Sequence, residues 1–535
     1  LRSEPKAMQI ALFDTTLRDG TQSEGLSLSV EDKLKISRLL DGFGIHYIEG
    51  GYPGSNPKDV EFFRRARELR FKQARLTAFG STRRANTPAT TDTNLQALVE
   101  AQTPAVCIFG KSWLLHVTTV LATTPEENLA MVGDSVAFLK ASGREVVYDA
   151  EHFFDGFRAD RAYALATIKA AADAGADWVT LCDTNGGCLP SFLADVVKVV
   201  RETIPTRLGI HTHNDSDLAV ANALAAVEAG CTMVQGTING WGERCGNANL
   251  ISIIPALQLK MDRRCVPDEK LARLTELSRT VSEIANIRPR AHAPYVGSSA
   301  FAHKGGAHVA AVEKLAATYE HVPPERIGNQ RKIVVSELSG RGNVRLRAVE
   351  LGADARGQEK EVLARIKELE SRGYQFEAAE GSFELLVRRT TPGYAPPWEM
   401  LDVVVISERR RGGNEMFVEA TVKLRVGDEV VHTVAEGSGP VHALDRAFHK
   451  ALEPHYPLLR DVQLCDFKVR ILDPEAATGA KTRVLIESCH GTERWSTIGV
   501  SPNIIEASCE ALADALELPL LRARSAESAA ATSRA

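Results

Sequence analysis

Leu208-Gly209-Ile210-His211-Thr212-His213-Asn214-Asp215 sets an apolar run against two imidazoles two residues apart. In a strand that spacing turns both rings to one face, at the strand's C-terminal end. Two imidazoles on one face, followed at once by Asn214 and Asp215, have the geometry to hold a divalent metal and orient its ligands. The plainer alternative is a pair of satisfied histidines closing a strand. Which applies depends on what else the chain brings to the same edge.

Outward from this run, short β-type segments recur from Ile10 to Ile238, each ending in polar residues and separated from the next by a stretch of helical periodicity. Eight can be counted: Ile10 to Thr15, Tyr47 to Glu49, Arg75 to Phe79, Ala105 to Phe109, Glu145 to Glu151, Trp178 to Thr184, Arg207 to His213 and Met233 to Ile238. Between them lie amphipathic segments such as Val30 to Asp41, Asp59 to Arg70, Asp160 to Ala174, Pro190 to Glu202 and Leu218 to Ala229, the last closed by Gly230. Eight βα units in about 260 residues predict an α/β fold, a closed parallel (β/α)8 barrel of the TIM type over residues 8–260. The alternative is a doubly wound sheet, which usually carries a glycine phosphate fingerprint after its first strand. Neither G-x-G-x-x-G nor the Walker pattern occurs there.

Composition narrows the class further. The chain has 535 residues, 44% hydrophobic and 25% charged, enough to bury a large core and of a length suggesting roughly two to four domains. Basic and acidic residues number 64 and 69, and like charges cluster only in short runs such as Arg409-Arg410-Arg411, so nothing calls for nucleic acid. The nine cysteines are scattered without Cys-x-x-Cys spacing, which argues against a disulfide framework or zinc ribbon and suits a reducing cytoplasm. No secretory apolar core follows the polar N-terminal octet, and no run approaches the ~18 residues of a membrane span. The expectation is a cytosolic protein.

Chemistry in a parallel barrel gathers at the C-terminal strand ends. There this chain places Asp14-Thr15-Thr16-Leu17-Arg18-Asp19-Gly20-Thr21-Gln22, then Glu49, Asp149 and Glu151, Asp183-Thr184-Asn185, His211 and His213, and after the last strand Asn239 and Gly242-Glu243-Arg244-Cys245-Gly246-Asn247. Any one of these could be a cap or a turn residue; so many on one rim make a poor case for that. Asp19 with His211 and His213 would form a two-His, one-carboxylate site with open positions, and Asn247 could add a carbonyl oxygen. Such ligands suit Mg²⁺, Mn²⁺, Zn²⁺ or Fe²⁺, with Mg²⁺ or Mn²⁺ the expected ion. Arg18 adds nothing to metal affinity but can stabilise an oxyanion forming beside the metal. Glu151 is a candidate acid, base or orienting group on the opposite side of the rim.

Three stretches, the Asp14 to Gln22 run, His211 to Asp215 and Gly242 to Asn247, together resemble the 2-isopropylmalate, homocitrate and citramalate synthase family, metal-dependent barrels that condense acetyl-CoA with a 2-oxo acid. Ile48-Glu49-Gly50-Gly51-Tyr52-Pro53-Gly54-Ser55-Asn56-Pro57-Lys58-Asp59 and Val234-Gln235-Gly236-Thr237-Ile238-Asn239-Gly240 are most similar to its citramalate branch, the isopropylmalate branch usually reading Glu-Ala-Gly-Phe-Pro in the first place. The resemblance implies an acyltransferase, with Asp19, His211, His213 and Asn247 as metal ligands and Arg18, Gln22, Glu49 and Thr184 as substrate contacts. Arg18 would polarise the keto oxygen, and Glu151 matches the catalytic glutamate. Asn185 stands where many relatives have Leu, and Ser216-Asp217 where Leu-Gly or Ser-Gly is commoner. Other outcomes are a sister synthase for a bulkier 2-oxo acid, a lyase on the same barrel, or an amino-acid-binding regulator that has lost catalysis.

Residues 261–393 read as a helical and irregular connector. Within it, Ser298 to His308 sets two histidines near a glycine pair, which suggests a mobile element. By the resemblance, His308 is a catalytic histidine delivered from the neighbouring subunit, Tyr319 its partner and His303 a helper, so the active unit is a homodimer. Lys360 to Arg372 reads as a charged amphipathic helix. Tyr394-Ala395-Pro396-Pro397 marks a boundary. Beyond it Phe417 to Val434, with Gly437-Ser438-Gly439-Pro440 opening a helix, is echoed by Thr482 to Ile498 with Gly499-Val500-Ser501-Pro502. Two βββα-like repeats over residues 394–522 predict a pseudo-symmetric α+β module. It is similar to the family's regulatory domain, which implies an amino-acid effector, isoleucine for the citramalate branch. Residues 523–535, small and polar, are expected to be a disordered tail.

Overall fold

The computed structural model describes residues 8–409 and 416–532. They divide into two compact units, one running to Phe301 and taking in Val322–Gln330, the other comprising Ala302–His321 and the chain from Arg331 on. These divisions fall at neither of the boundaries expected at 260 and 393, because the helical segments after the barrel pack on it and extend its unit.

The first unit is a closed barrel of eight parallel strands in sequence order. These are β1 (Ala11–Asp14), β2 (Tyr47–Gly51), β3 (Arg75–Ser81), β4 (Ala105–Lys111), β5 (Glu145–Glu151), β6 (Trp178–Asp183), β7 (Arg207–Thr212) and β8 (Met233–Gly236). The barrel closes by β1 pairing with β8, Phe13 opposite Gln235. Helices α1 (Val30–Phe43), α2 (Pro57–Ala66), α3 (Thr93–Glu100), α4 (Pro125–Ala141), α5 (Phe153–Ala159), α6 (Arg161–Asp173), α7 (Pro190–Thr203), α8 (Ala219–Ala229) and α9 (Leu250–Lys260) follow the strands, with α10 (Asp268–Leu271) and α11 (Leu274–Ile284) after them. Strands such as β2 and β6 are buried along their whole length, which is why they read as continuous rather than alternating runs. Local signals set the helix ends. Ser29 and Asp32 form a capping box at the start of α1, and Gly44 closes it in the left-handed conformation. Leu12, Ile48, Val106, Val179 and Ile210 are fully buried among the helices, each contributing about 1.5–3 kcal/mol by leaving water.

In the second unit β9 (Ala302–His303) pairs with β10 (Lys332–Ile333) beside α12 (Gly306–Lys314). Helices α13 (Arg341–Glu350), α14 (Glu359–Ser371) and α15 (Glu380–Thr390) share a core of Val344, Val362, Ile366 and Phe383. The charged helix α14 is thus solvated on one face only. Two antiparallel sheets follow, β11 (Glu399–Arg409), β12 (Met416–Val426) and β13 (Glu429–Glu436) with helix α16 (Pro440–Leu452), then β14 (Gln463–Ile471), β15 (Thr482–His490) and β16 (Glu493–Ser501) with α17 (Ile504–Thr532). Pro440 and Ile504 open their helices 64 residues apart; Met400 and Leu464, and Asp402 and Asp466, flank matching bulges at the same offset.

Two expectations fail here. Cys465, the bulged residue of β14, is disulfide-bonded to Cys489 on β15, with Cα atoms 6.3 Å apart. Sequence spacing hides this pair because strand register, not proximity along the chain, brings it together. The stretch from Ala523, expected to be disordered, instead continues α17 to Thr532; its alanines are small and unpatterned but are the best helix formers. Residues 533–535 lie outside the described residues, as do Arg410 and Arg411. Among the described residues no helix is long and apolar enough to cross a membrane.

Candidate active site

Asp19 follows β1, His211 sits in β7 and His213 just past it, and one ligand atom from each lies within 4.8 Å of the others. The two histidine Nε2 atoms are 3.2 Å apart, and Asp19 Oδ2 is 3.4 Å from His211 Nε2. All three residues are buried, exposed by 6% or less. Burial disfavours the Asp19 charge, but Arg18, then His211, His213 and the Asn247 amide, hold its carboxyl below the ordinary aspartate value. Burial, reinforced by His211, holds His213 well below the usual imidazole range, so the ring is neutral.

The fourth expected ligand, Asn247, is present but turned. Its Nδ2 donates to Asp19 Oδ2 at 2.7 Å and lies 3.2 Å from His211 Nε2. Its carbonyl Oδ1 is buried without a hydrogen-bond partner, as is His213 Nδ1. A cluster of one carboxylate and two imidazoles, with an amide N–H group facing it and an orphaned amide oxygen behind, fits a divalent cation: half a turn of the Asn247 amide presents that oxygen to the site. Gly242 explains how the loop comes so close. At φ +159° it would place a Cβ 1.8 Å from Asn247 Oδ1, so no side chain fits.

Arg18 lies beside this cluster with its guanidinium carbon 3.7 Å above the Phe79 ring, and donates from Nε to Glu49 Oε2 at 2.6 Å. Burial works against its charge, but Asp19 and Glu49 outweigh it, so the cation is permanent. Burial pushes the fully enclosed Glu49 up to about 7 against the pull of Arg18. Glu49 thus meets Arg18 and does not line the cavity.

A cavity of about 420 Å³ opens over the cluster, lined among others by Arg18, Asp19, Gln22, Glu151, Thr184, His211 and His213. Seven of the residues named from sequence therefore meet in one place. Thr184 is fixed by the His152 N–H group, which donates to its Oγ1 at 2.9 Å, and Arg244 donates to its carbonyl while forming a two-point pair with Asp215. Ser216-Asp217 now has a physical account: Asp217 is left-handed at φ 57°, its N–H donating to the Asn214 carbonyl, in a turn that feeds α8. An aspartate thus takes the backbone position that glycine fills elsewhere. Asn239 turns away from the rim and binds Ser278 and Ser282 of α11.

His308 and Tyr319 belong to the second unit, their rings stacked with centroids 4.1 Å apart. His308 is on the third residue of α12 and Tyr319 is 49% exposed. His303 is instead buried against Glu320, which also holds Arg331. Several residues at the site were given no role by the sequence. Lys111, two residues past the expected end of its strand, ion-pairs with Glu151. Tyr52, Phe79 and Phe109 form an aromatic wall on the cavity, Phe79 stacked on Phe109 and edge-on to Tyr52. Lys33 and Asp59 form a buried pair beneath it, Asp59 accepting from the Tyr52 N–H group at 2.9 Å. Gly51, at φ +151°, would place a Cβ 2.3 Å from Asp59, and so permits that contact.

Residues 9–281 match the HMGL-like family model, and 377–520 match the LeuA allosteric (dimerisation) domain. An (R)-citramalate synthase of Geobacter sulfurreducens is 51% identical over 97% of this chain and 99% of its own. The chain belongs to the HMGL-like family, among the citramalate and 2-isopropylmalate synthases. Residues 295–374 of this family member match the homocitrate synthase post-HMGL domain. The Synechocystis (R)-citramalate synthase is 52% identical over 96% of this chain and 97% of its own; a 2-isopropylmalate synthase of Methanocaldococcus jannaschii is 30% identical over 95% and 94%.

Proposed function

We propose that this chain is an (R)-citramalate synthase, joining acetyl-CoA and pyruvate with water to give citramalate and free CoA. The observation that carries the reading is the convergence of Asp19, His211 and His213 with Arg18 and Glu151 around one cavity, in a chain about half identical to synthases of that name.

Asp19, His211, His213 and the turned Asn247 would hold a divalent cation, Mg²⁺ or Mn²⁺ by their oxygen and imidazole chemistry, with Zn²⁺ the alternative. When bound, the ion supplies Lewis acidity to the carboxylate and keto oxygens of a 2-oxo acid. Arg18, pinned by Glu49 and Phe79, presents its remaining N–H groups to the oxygen that gains charge as the new C–C bond forms. Thr184 and Gln22 orient the 2-oxo acid. A base, Glu151 poised by Lys111, takes a proton from the acetyl methyl. The alkoxide then takes up a proton, and water attacks the thioester so that the C–S bond breaks and CoA leaves as thiol. His308, stacked on Tyr319, is the candidate for a proton transfer delivered from a partner subunit. The match to an allosteric dimerisation domain supports a homodimer regulated by a small molecule, and isoleucine is the effector we assign.

The test is release of CoA thiol from acetyl-CoA with Mn²⁺ or Mg²⁺, comparing pyruvate, 2-oxobutyrate, 2-oxoisovalerate and 2-oxoglutarate, with isoleucine or leucine added. Preference for pyruvate and inhibition by isoleucine is the expected result. Preference for 2-oxoisovalerate with leucine inhibition would place the chain with the 2-isopropylmalate synthases.

A further inference from the structure

Behind the ligand cluster, on the inner wall of the barrel, His211 Nδ1 lies 2.9 Å from Gln235 Oε1. The same amide donates through Nε2 to Asp149 Oδ1 at 2.8 Å and contacts Thr180 Oγ1 at 3.2 Å. Gln235 and Thr180 are fully buried, and Asp149 is 4% exposed. Burial works against the charge of Asp149, while His211, the Cys107 thiol, the Gln235 amide and Arg18 favour it. As a carboxylate Asp149 only accepts, so the Gln235 NH₂ group faces it. Its carbonyl oxygen must then face His211, and an amide oxygen only accepts, so the ring nitrogen opposite it must carry the proton. His211 is thereby held with Nδ1 protonated and a bare lone pair on Nε2, the atom that faces Asp19 and His213.

We propose that Asp149 and Gln235 are positioning residues that set the tautomer and ring angle of His211 and act through it. The inference rests on the metal reading of the cluster. Gln235 stands opposite His211 in the β7–β8 register, and Asp149 reaches it from across the barrel on β5. Residues of separate strands therefore fix one imidazole. A flipped ring would present an N–H group to the cluster and could not ligate.

The proposal predicts a pattern among near-isosteric variants that a space-filling role does not. Asp149→Asn gives the amide of Gln235 a partner that can donate as well as accept, so Gln235 is free to reverse. Combining Asp149→Asn with Gln235→Glu restores a one-way chain, since a carboxylate in place of the Gln235 amide would accept both from the new amide and from His211. In protein carrying ring-¹⁵N histidine, free of metal, long-range ¹H–¹⁵N correlations report which nitrogen of His211 bears the proton; calorimetry with Mn²⁺ and no substrate reports affinity. The expected results are a single Nδ1–H tautomer in the wild type, a mixture in Asp149→Asn with Mn²⁺ affinity lower by about 10- to 100-fold, and recovery of both in the double variant. An unchanged tautomer and affinity in Asp149→Asn would overturn the proposal. Failure of the wild type to bind Mn²⁺, Mg²⁺ or Zn²⁺ would overturn the metal reading instead, while the tautomer measurement would still decide this one. Unchanged melting temperature in the variants keeps misfolding from imitating either result.

Discussion

In the barrel, Arg18 is clamped by Glu49 and the Phe79 ring, and Asp19 by Arg18, His211 and Asn247. In the first C-terminal repeat, Arg446 and Lys450 donate instead to the backbone carbonyls of Glu436 and Val434, at the edge of a cavity of about 1170 Å³. The barrel cavity, at about 420 Å³, is much the smaller. Carboxylate partners at Arg18 fix its direction, the preorganisation that its proposed catalytic role needs. Carbonyl partners hold Arg446 and Lys450 in place without cancelling their charge, which leaves them able to receive a ligand's carboxylate. On the roles proposed above, the difference separates a site shaped for a transition state from one shaped for binding alone.

The largest effect expected on the barrel side is that of Asp19→Ala or His211→Ala. Loss of a ligand removes several kcal/mol of transition-state stabilisation, on the order of a 10³-fold fall in kcat/KM. Mn²⁺ binding by calorimetry should vanish while circular dichroism stays unchanged; retained metal would show that the cluster is not the ligand set. Next is Arg18→Lys. A point charge cannot reach both Glu49 and the developing oxyanion, so kcat should fall about 100-fold with KM changed less than about threefold. Equal loss in both constants would mean that Arg18 merely binds.

That much of the barrel site was legible in sequence because its residues sit at strand ends, where a period-two pattern stops and polar residues begin. Strand β5 ends at Glu151 as read. Strands β3 and β4 continue two residues further than the apolar run, through Gly80-Ser81 and Gly110-Lys111, and so Lys111 was lost to the reading. Glycine carries no hydrophobic signal, although it continues a ladder perfectly well. Gln235 with Asp149, and Lys33 with Asp59, are polar pairs in the interior whose members lie 86 and 26 residues apart; only the packing of separate strands and helices brings them together. The repeats were legible from their glycine-rich turns, but the first strand of each was not quoted in the echo, and with it went the bulge that brings Cys465 to Cys489.

A narrower effect should come from the aromatic wall. Phe109 stacks on Phe79 at 5.4 Å between ring centroids and lines the cavity, so Phe109→Ala opens room beside the 2-oxo acid's side chain. One or two methylenes in such a pocket are worth about 1–3 kcal/mol. The ratio of kcat/KM for 2-oxoisovalerate to that for pyruvate should therefore rise by about tenfold or more, measured by CoA release. An unchanged ratio would place the specificity wall elsewhere and weaken the case that the barrel cavity is tightly shaped.

The smallest effect sets the two C-terminal repeats against each other. A second cavity, of about 1050 Å³, lies on α17 as the first lies on α16, and the shared 64-residue offset places Arg446 and Glu510 at matching helix positions. Several of its charged groups are paired with one another: Arg389 with Asp514 and Glu517, and Tyr374 with Glu510. If carbonyl-held cations receive the effector, Arg446→Ala loses a charge-assisted hydrogen bond of about 1.5–3 kcal/mol, and the isoleucine concentration for half-inhibition should rise about tenfold or more. Arg389→Ala should act differently. It leaves the buried carboxyl of Asp514 without its cation, at a cost of about 3 kcal/mol, so thermal stability falls while the inhibition constant moves little. The reverse pattern, with Arg389 governing inhibition and Arg446 only stability, would move the effector to the second repeat and break the distinction between neutralised and available charge.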